Sequence, residues 1–225
     1  MKICGSDIHS HILPGVDDGF RDAGDSLEAL SRMAAAGCKE FTFTPHLNPE
    51  LFPGSSESTL RERYKEFAAM IPESLGVKTS LAAEYMVVNG FERKVAGQAD
   101  GLLHFDDGSI LIEMSYYYRS RNLEDTVFEL NMAGLRPILA HPERYAYMSG
   151  CLGDFDRLRD MGCRFQINYM SLTGMYGAES VKILRYLNKR GWCDSFSSDL
   201  HSLPQLDKIL SGKIILPLWK FRKLF

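Results

Sequence analysis

Residue types able to hold a metal recur along this chain where apolar segments end. His9 and His11 form a His-x-His pair in Asp7-Ile8-His9-Ser10-His11. Alternate side chains of a strand share a face, so both imidazoles would project the same way, the spacing two ligands of one ion need. Asp199-Leu200-His201 repeats that spacing late in the chain. Between them, His46 follows Thr44-Pro45, Glu84 follows Ala82-Ala83, Glu113 follows Leu111-Ile112, and His141 follows Leu139-Ala140. Taken singly, each has a plainer reading. A Glu after a strand usually caps a helix or faces water, and a His there is more often a hydrogen-bonded core residue than a ligand. Gathered together, imidazoles and carboxylates are seldom buried without metal or mutual pairing. The donors are nitrogen and oxygen with no thiolate, which suits Mn, Fe or Zn in a hydrolytic site and not a cysteine-based structural zinc. They are too many for one ion. Two or three ions sharing a bridging carboxylate would use them all, and such clusters activate water and hold both sides of a phosphoryl transfer.

Segments so far apart in sequence converge only if the fold brings strand ends together. Apolar, β-prone runs at Ile3–Ile12, Phe41–Pro45, Val77–Val88, Ile110–Met114, Pro137–Ala140, Arg164–Tyr169 and Trp192–Ser198 are separated by mostly helical stretches. Asp25-Ser26-Leu27-Glu28 reads as a capping box, Leu27, Leu30 and Met33 share one face of the helix behind it, and Gly37 closes that helix. Asn122 to Gly134 has the same form, with Leu123, Val127 and Leu130 inward; Asp154 to Gly162 is another, and Val181, Leu184 and Leu187 mark a helix ending at Gly191. Alternating strands and helices predict an α/β fold with a parallel sheet. Seven units without a Pro/Gly/Ser linker favour a closed or nearly closed barrel, as one domain over 1–225. In such a barrel the carboxyl ends of the strands meet at one mouth, where active sites lie.

Bulk properties narrow the partners. The chain has 225 residues, 45% of them hydrophobic, with a formal net charge of -3. No basic face advertises nucleic acid. The five cysteines, Cys4, Cys38, Cys151, Cys163 and Cys193, form no CxxC pair and read as reduced thiols of a cytoplasmic protein. The start of the chain reaches Asp7 too soon for a signal-peptide core. No apolar run approaches the roughly 18 residues of a membrane span. After Asp207 the tail carries no acid, and Lys213, Lys220, Arg222 and Lys223 alternate with Ile214, Ile215, Leu218, Trp219, Phe221 and Leu224. A barrel-closing strand or helix is the main reading of that tail, and a membrane-surface or partner-docking element is its rival.

In family order, Asp7-Ile8-His9-Ser10-His11-Ile12-Leu13-Pro14-Gly15-Val16-Asp17-Asp18-Gly19, Thr44-Pro45-His46, Ala83-Glu84, Ala140-His141-Pro142-Glu143-Arg144-Tyr145, Gln166-Ile167-Asn168 and Ser198-Asp199-Leu200-His201 resemble the PHP (polymerase and histidinol phosphatase) metallo-phosphoesterases. More narrowly, the chain resembles the bacterial capsule and exopolysaccharide tyrosine-protein phosphatases. The resemblance implies a distorted (β/α)7 TIM-like barrel holding three divalent ions, with Mn the first choice. Carried over by position, His9, His11, Glu84 and Asp199 hold the first ion. Glu84 bridges to a second that also takes Glu113 and His141, and Asp18, His46 and His201 hold the third. Of Asp17 and Asp18, the family pattern favours Asp18. Arg144 would meet the substrate phosphate, and Asp199 and His201 join it as catalytic residues. The implied substrate is a phosphotyrosine-bearing protein, a membrane-bound kinase of polysaccharide export, so membrane contact is indirect or through the basic tail. Tyr116, Tyr117, Tyr118 and Phe52 are expected to flank the mouth. Three divalent ions would outweigh the charge of Asp18, Glu84, Glu113 and Asp199, making the mouth positive although the chain is acidic.

Rival readings remain. A small-molecule phosphomonoesterase of histidinol-phosphate or sugar-phosphate type uses the same ligands. An amidohydrolase would place a bridging Lys at the fourth strand, where this chain has Glu113. A decayed, non-catalytic binder would have lost ligands. Cys151-Leu152-Gly153-Asp154-Phe155-Asp156-Arg157 matches the CX5R spacing of cysteine-dependent tyrosine phosphatases, but Asp154 and Asp156 inside that loop would repel phosphate.

Overall fold

The computed structural model describes residues 5–48 and 50–214. Nine strands alternate with seven helices among these residues. The order is β1 (Ser6–Ser10), α1 (Ala23–Ala35), β2 (Glu40–Phe43), β3 (His46–Leu47), α2 (Glu57–Ala68), β4 (Lys78–Leu81), β5 (Glu84–Met86), α3 (Phe91–Gln98), β6 (Ser109–Glu113), α4 (Leu123–Met132), β7 (Arg136–Ala140), α5 (Gly153–Asp160), β8 (Arg164–Asn168), α6 (Gly177–Arg190), β9 (Ser195–Ser197) and α7 (Leu203–Ser211). Every strand pairing is parallel, in two sheets of order β1-β2-β4 and β3-β5-β6-β7-β8-β9.

The two sheets are not independent. Phe43 pairs with Leu81 in one and His46 with Glu84 in the other, so β2/β3 and β4/β5 run side by side across two short breaks. Hydrogen bonds continue through the breaks, from Ala82 N–H to Phe43 O (2.9 Å) and from Glu84 N–H to Pro45 O (3.1 Å). At the other flank Ser10 bridges Leu200, His11 N–H donates to Leu200 O (2.9 Å), and Asp199 N–H donates to His9 O (2.8 Å). Central strands are buried on both faces, as parallel sheets require; β6 (Ser-Ile-Leu-Ile-Glu) is buried along its whole length.

Helices cover the outside with single apolar stripes. α4 buries Leu123, Val127 and Leu130, and α6 buries Ile183, Leu184 and Leu187. Val181 is only partly buried. α1 starts earlier than its capping-box reading. Asp22, in extended backbone, accepts the Asp25 N–H, so the cap lies three residues before Asp25. A local Asp-x-x-acid pattern does not say which Asp leaves the helix, and the backbone of Asp22 decides it. The expected run Val77–Val88 is two strands, and Phe41–Pro45 ends at Phe43 because Pro45, without an N–H, cannot donate to a ladder. Lys213 and Ile214 are the last tail residues described; the remaining basic and apolar positions named above, and Cys4, lie outside the described residues. No helix among the described residues is long and apolar enough to cross a membrane.

Candidate metal centre

Each candidate ligand is held where a strand ends, breaks or turns. His9 lies in β1 and His11 one residue past it, both fully buried. The following loop folds onto His11 so closely that a Cβ on Gly19 would stand 2.3 Å from the His11 carbonyl oxygen. Only glycine fits there. His46 opens β3 and Glu84 opens β5, where the sequence reading had each closing a strand. Glu113 ends β6 as expected. His141 follows β7 and Asp199 follows β9, with φ of +32° and +49°. These are the two non-glycine residues with positive φ among those described, so the backbone turns left-handed at Asp199 and Asp199-Leu200-His201 does not repeat the strand geometry of His9-x-His11. Backbone strain of this kind collects at functional sites.

The structure draws these side chains together. His9 Nε2 lies 3.2 Å from Glu84 Oε2 and 3.3 Å from Asp199 Oδ1. His11 Nε2 lies 3.4 and 3.3 Å from the same two oxygens. The two imidazole nitrogens are 3.2 Å apart. His46 Nδ1 stands 3.1 Å from Glu84 Oε2 and 2.8 Å from Glu113 Oε1. His46 Nε2 and His201 Nε2 approach Asp18 Oδ1 at 3.5 and 3.6 Å. Three groups with metal-binding spacing result: His9, His11, Glu84 and Asp199; His46, Glu84 and Glu113; and His11, Asp18, His46 and His201. His141 stands outside them, with its Nε2 3.0 Å from Glu84 Oε1. His46 Nδ1 is the imidazole nitrogen grouped with Glu84 and Glu113, while His46 Nε2 faces Asp18 and His141 faces the other oxygen of Glu84. Glu84 turns one oxygen to His9, His11 and His46 and the other to His141, the disposition a bridging carboxylate needs.

A metal cluster fits this donor set on direct structural grounds. Glu84 Oε2, Glu113 Oε1 and His46 Nδ1 are buried facing one another with no hydrogen bond of good geometry, and His141 Nδ1 is buried without a partner. Orphaned buried donors and acceptors are costly, and several in one spot call for a cation. The protonation pattern agrees. Burial pushes Glu84 up, yet His9 and His46 beside it hold its carboxyl well below the usual range. Burial and the Glu84 charge together raise Glu113. Burial opposes charge on His46, but Glu113 and Glu84 together outweigh it and lift the imidazole to about 9. Burial, and then His11, push His201 down to about 4. Ionised carboxylates are thus balanced by protons on imidazoles. Divalent ions would displace those protons and leave neutral rings, the form that ligates.

Several residues that orient the ligands were not singled out as site residues in the sequence, although they lie in the motif segments. Asp17 Oδ2 accepts from His11 Nδ1 (2.7 Å) and from the His46 N–H (3.0 Å), which turns His11 Nε2 inward. Against burial, the His11 charge holds Asp17 at about 2. Gln166 Oε1 bonds His9 Nδ1 at 2.9 Å in the same manner. Asp7, pushed up to about 6 by burial, accepts the N–H and O–H of Ser198 next to the strained Asp199. Such outer partners fix ligand tautomers.

Arg144, in the turn after β7, donates to Asp199 Oδ2 at 2.5 Å, and Asn168 Nδ2 donates to the same oxygen at 3.0 Å. Asp199 therefore offers Oδ1 to the histidines and Oδ2 to these two residues. A cavity of about 1020 Å³ opens over Asp18, His46 and Glu113 and is walled by Phe52, Tyr116, Tyr117 and Tyr118. Phe52 stacks on the His46 ring, with centroids 5.8 Å apart and planes 7° from parallel. The CX5R segment lacks a comparable setting. Arg157 is ion-paired with Asp154 at 2.7 Å, which removes the arginine that chemistry would need. His104, the remaining histidine, is exposed and outside every group.

The family model for capsular polysaccharide synthesis, CpsB/CapC, matches residues 5–209. The chain belongs to that family. The tyrosine-protein phosphatase YwqE of Bacillus subtilis (strain 168) is 27% identical over 198 residues, 88% of this chain and 77% of YwqE. The tyrosine-protein phosphatase CpsB of Streptococcus pneumoniae is 28% identical over 206 residues, 88% of this chain and 83% of CpsB. Among solved structures, a chain from the crystal structures of YwqE and CpsB, described as metal-dependent tyrosine phosphatases, matches with a TM-score of 0.74 and 25% identity, covering 95% of this chain and 89% of that one. The matched span of the CpsB/CapC model takes in every residue of the three groups.

Proposed function

We propose that this CpsB/CapC member is a metal-dependent protein-tyrosine phosphatase acting on a phosphotyrosine-bearing protein, a kinase of capsule or exopolysaccharide synthesis, in the cytoplasm. One observation carries the reading. Buried ligand atoms of Glu84, Glu113 and His46 face one another without a well-formed hydrogen bond, and His46 and Glu113 line a cavity walled by aromatic side chains. The names of the relatives point the same way.

In this reading His9, His11, Glu84 and Asp199 hold one divalent ion, Glu84, Glu113 and His141 a second, and Asp18, His46 and His201 a third, with Mn the expected metal. When bound, divalent ions would supply water activated at neutral pH and positive charge opposite the phosphoryl oxygens. The chain's own residues do the rest. Arg144 donates to the phosphate oxygens and, with Asp199 and His201, lines the reacting centre. Asp17 and Gln166 keep His11 and His9 turned inward. The aromatic walls seat the substrate ring, whose phenol, with a pKa of about 10, leaves more readily than an alkyl alcohol. The strands are taken as one distorted (β/α)7 barrel in a single domain, a reading supported by the Ser10–Leu200 bridge and by the bonds across the β2/β3 and β4/β5 breaks.

The test is hydrolysis by metal-loaded protein of a phosphotyrosine peptide against histidinol phosphate and sugar phosphates. Preference for the peptide in kcat/KM supports the proposal. Preference for a small alkyl phosphate would assign the chain to small-molecule chemistry instead.

A further inference from the structure

Arg144 is held by more than its carboxylate. Its side chain is 20% exposed, and its Cζ stands 4.4 Å from the ring centroid of Tyr116 and 4.7 Å from that of Tyr176. Tyr116 comes from the loop after β6, and Tyr176 from the segment joining β8 to α6. A guanidinium is a planar fork of five N–H donors on a long, freely rotating stem. Asp199 takes one donor, Nη1. A single contact of that kind leaves the plane free to swing about it, and a swinging fork cannot meet two phosphate oxygens together. Two rings packed against the guanidinium remove that freedom, because its favourable approach to an aromatic ring is over the face.

We propose that Tyr176, together with Tyr116, is a positioning residue for phosphate recognition: the two rings set the plane of Arg144 so that its unused N–H edge meets the phosphate. The inference rests on the role given to Arg144 above. Tyr116 also stands 3.4 Å from His141 Nε2 through its hydroxyl, so its removal would disturb a candidate ligand as well. Tyr176 has no contact with a candidate ligand among those described, which makes it the cleaner probe.

The experiment compares Tyr176→Phe and Tyr176→Leu, each in the Arg144 and the Arg144→Ala background. Readouts are affinity for inorganic phosphate, kcat and KM for a phosphotyrosine peptide, metal per chain and melting temperature. Tyr176→Leu should weaken phosphate binding and raise KM by about fivefold, within the range of a partly desolvated cation–π contact, with metal content unchanged. Tyr176→Phe keeps the ring and should stay within about twofold of the parent. In the Arg144→Ala background Tyr176→Leu should add nothing, the non-additivity expected of two residues acting as a unit. Equal losses in both backgrounds, or Tyr176→Phe as impaired as Tyr176→Leu, would overturn the proposal. Tyr176→Met removes the ring equally and replaces the leucine variant if that fails to fold. If the parent hydrolyses no phosphate ester yet binds phosphate with this coupling, the clamp stands and the phosphatase reading fails.

Discussion

Glu84 faces four imidazoles, those of His9, His11, His46 and His141, and so serves more of the site than any single histidine. Glu143, in the turn after β7, is equally buried but spends its Oε1 on the Asn168 N–H and the Ser171 hydroxyl. The two carboxylates therefore predict opposite outcomes. Glu84→Ala should lose bound metal and nearly all activity. Glu143→Ala should keep its metal while losing about 2 kcal/mol of stability, or about 4–8 °C in Tm, from a stranded buried N–H. Elemental analysis beside a melting curve checks both, and equal metal loss in the two variants would contradict the assignment. At this scale the sequence was most legible for first-contact ligands, since His, Asp and Glu advertise themselves by type. It was least legible for Asp17, Gln166 and Asp7, whose roles depend on which ring nitrogen or backbone N–H the fold sets before them. His46 and His141 show the same limit, because residue type cannot say which of two histidines stands beside Glu113.

Among elements, the loops after the strands carry the differences that matter for substrate. Tyr117 and Tyr118 are 91% and 66% exposed at the rim of the cavity, although large apolar surface is normally covered. Replacing both by Ala should raise KM for a phosphotyrosine peptide several-fold more than for a small aryl phosphate, which reaches only the floor. Parallel kinetics on the two substrates test this, and equal changes would leave the rim without a role. Further round, Glu57 at the start of α2 accepts from Lys94 of α3 (2.6 Å) and from the hydroxyl of Tyr85 on β5 (3.2 Å). Burial would raise Glu57, but the Lys94 hydrogen bond and charge hold it below the ordinary carboxylate value. A depressed folded-state pKa means stability that is present above the unfolded value and lost as pH falls through the folded one. Glu57→Gln should cost about 1 kcal/mol at pH 7, and the difference from the parent should vanish toward acid. A melting-temperature series from pH 7 down to pH 3 reads it, and a gap that widens in acid would refute the linkage. Helices α1, α4, α5 and α6 were readable from apolar spacing and closing glycines, whereas α2, α3 and α7 were not. Caps and strand breaks were not, because Asp22 and Pro45 act through backbone geometry that a residue pattern does not encode.

For the whole molecule, the alternation of strand and helix made the parallel α/β architecture legible, and strand ends led directly to the site. The division into two sheets was hidden: β4/β5 read as one apolar run, Val77–Val88, and β3 lies beyond the run Phe41–Pro45, so the breaks that aim Glu84 and His46 were not seen. The central claim is that buried imidazoles and carboxylates bind metal and that this metal, not Cys151, drives phosphotyrosine hydrolysis. The most direct measurement is the rate on a phosphotyrosine peptide before chelation, after prolonged stripping with a strong chelator and after Mn is returned, for the parent and for Cys151→Ser. The account predicts that stripping abolishes the rate, that Mn restores it, and that Cys151→Ser follows the parent throughout. A stripped parent that stays active, alongside a Cys151→Ser variant that is dead, would contradict it.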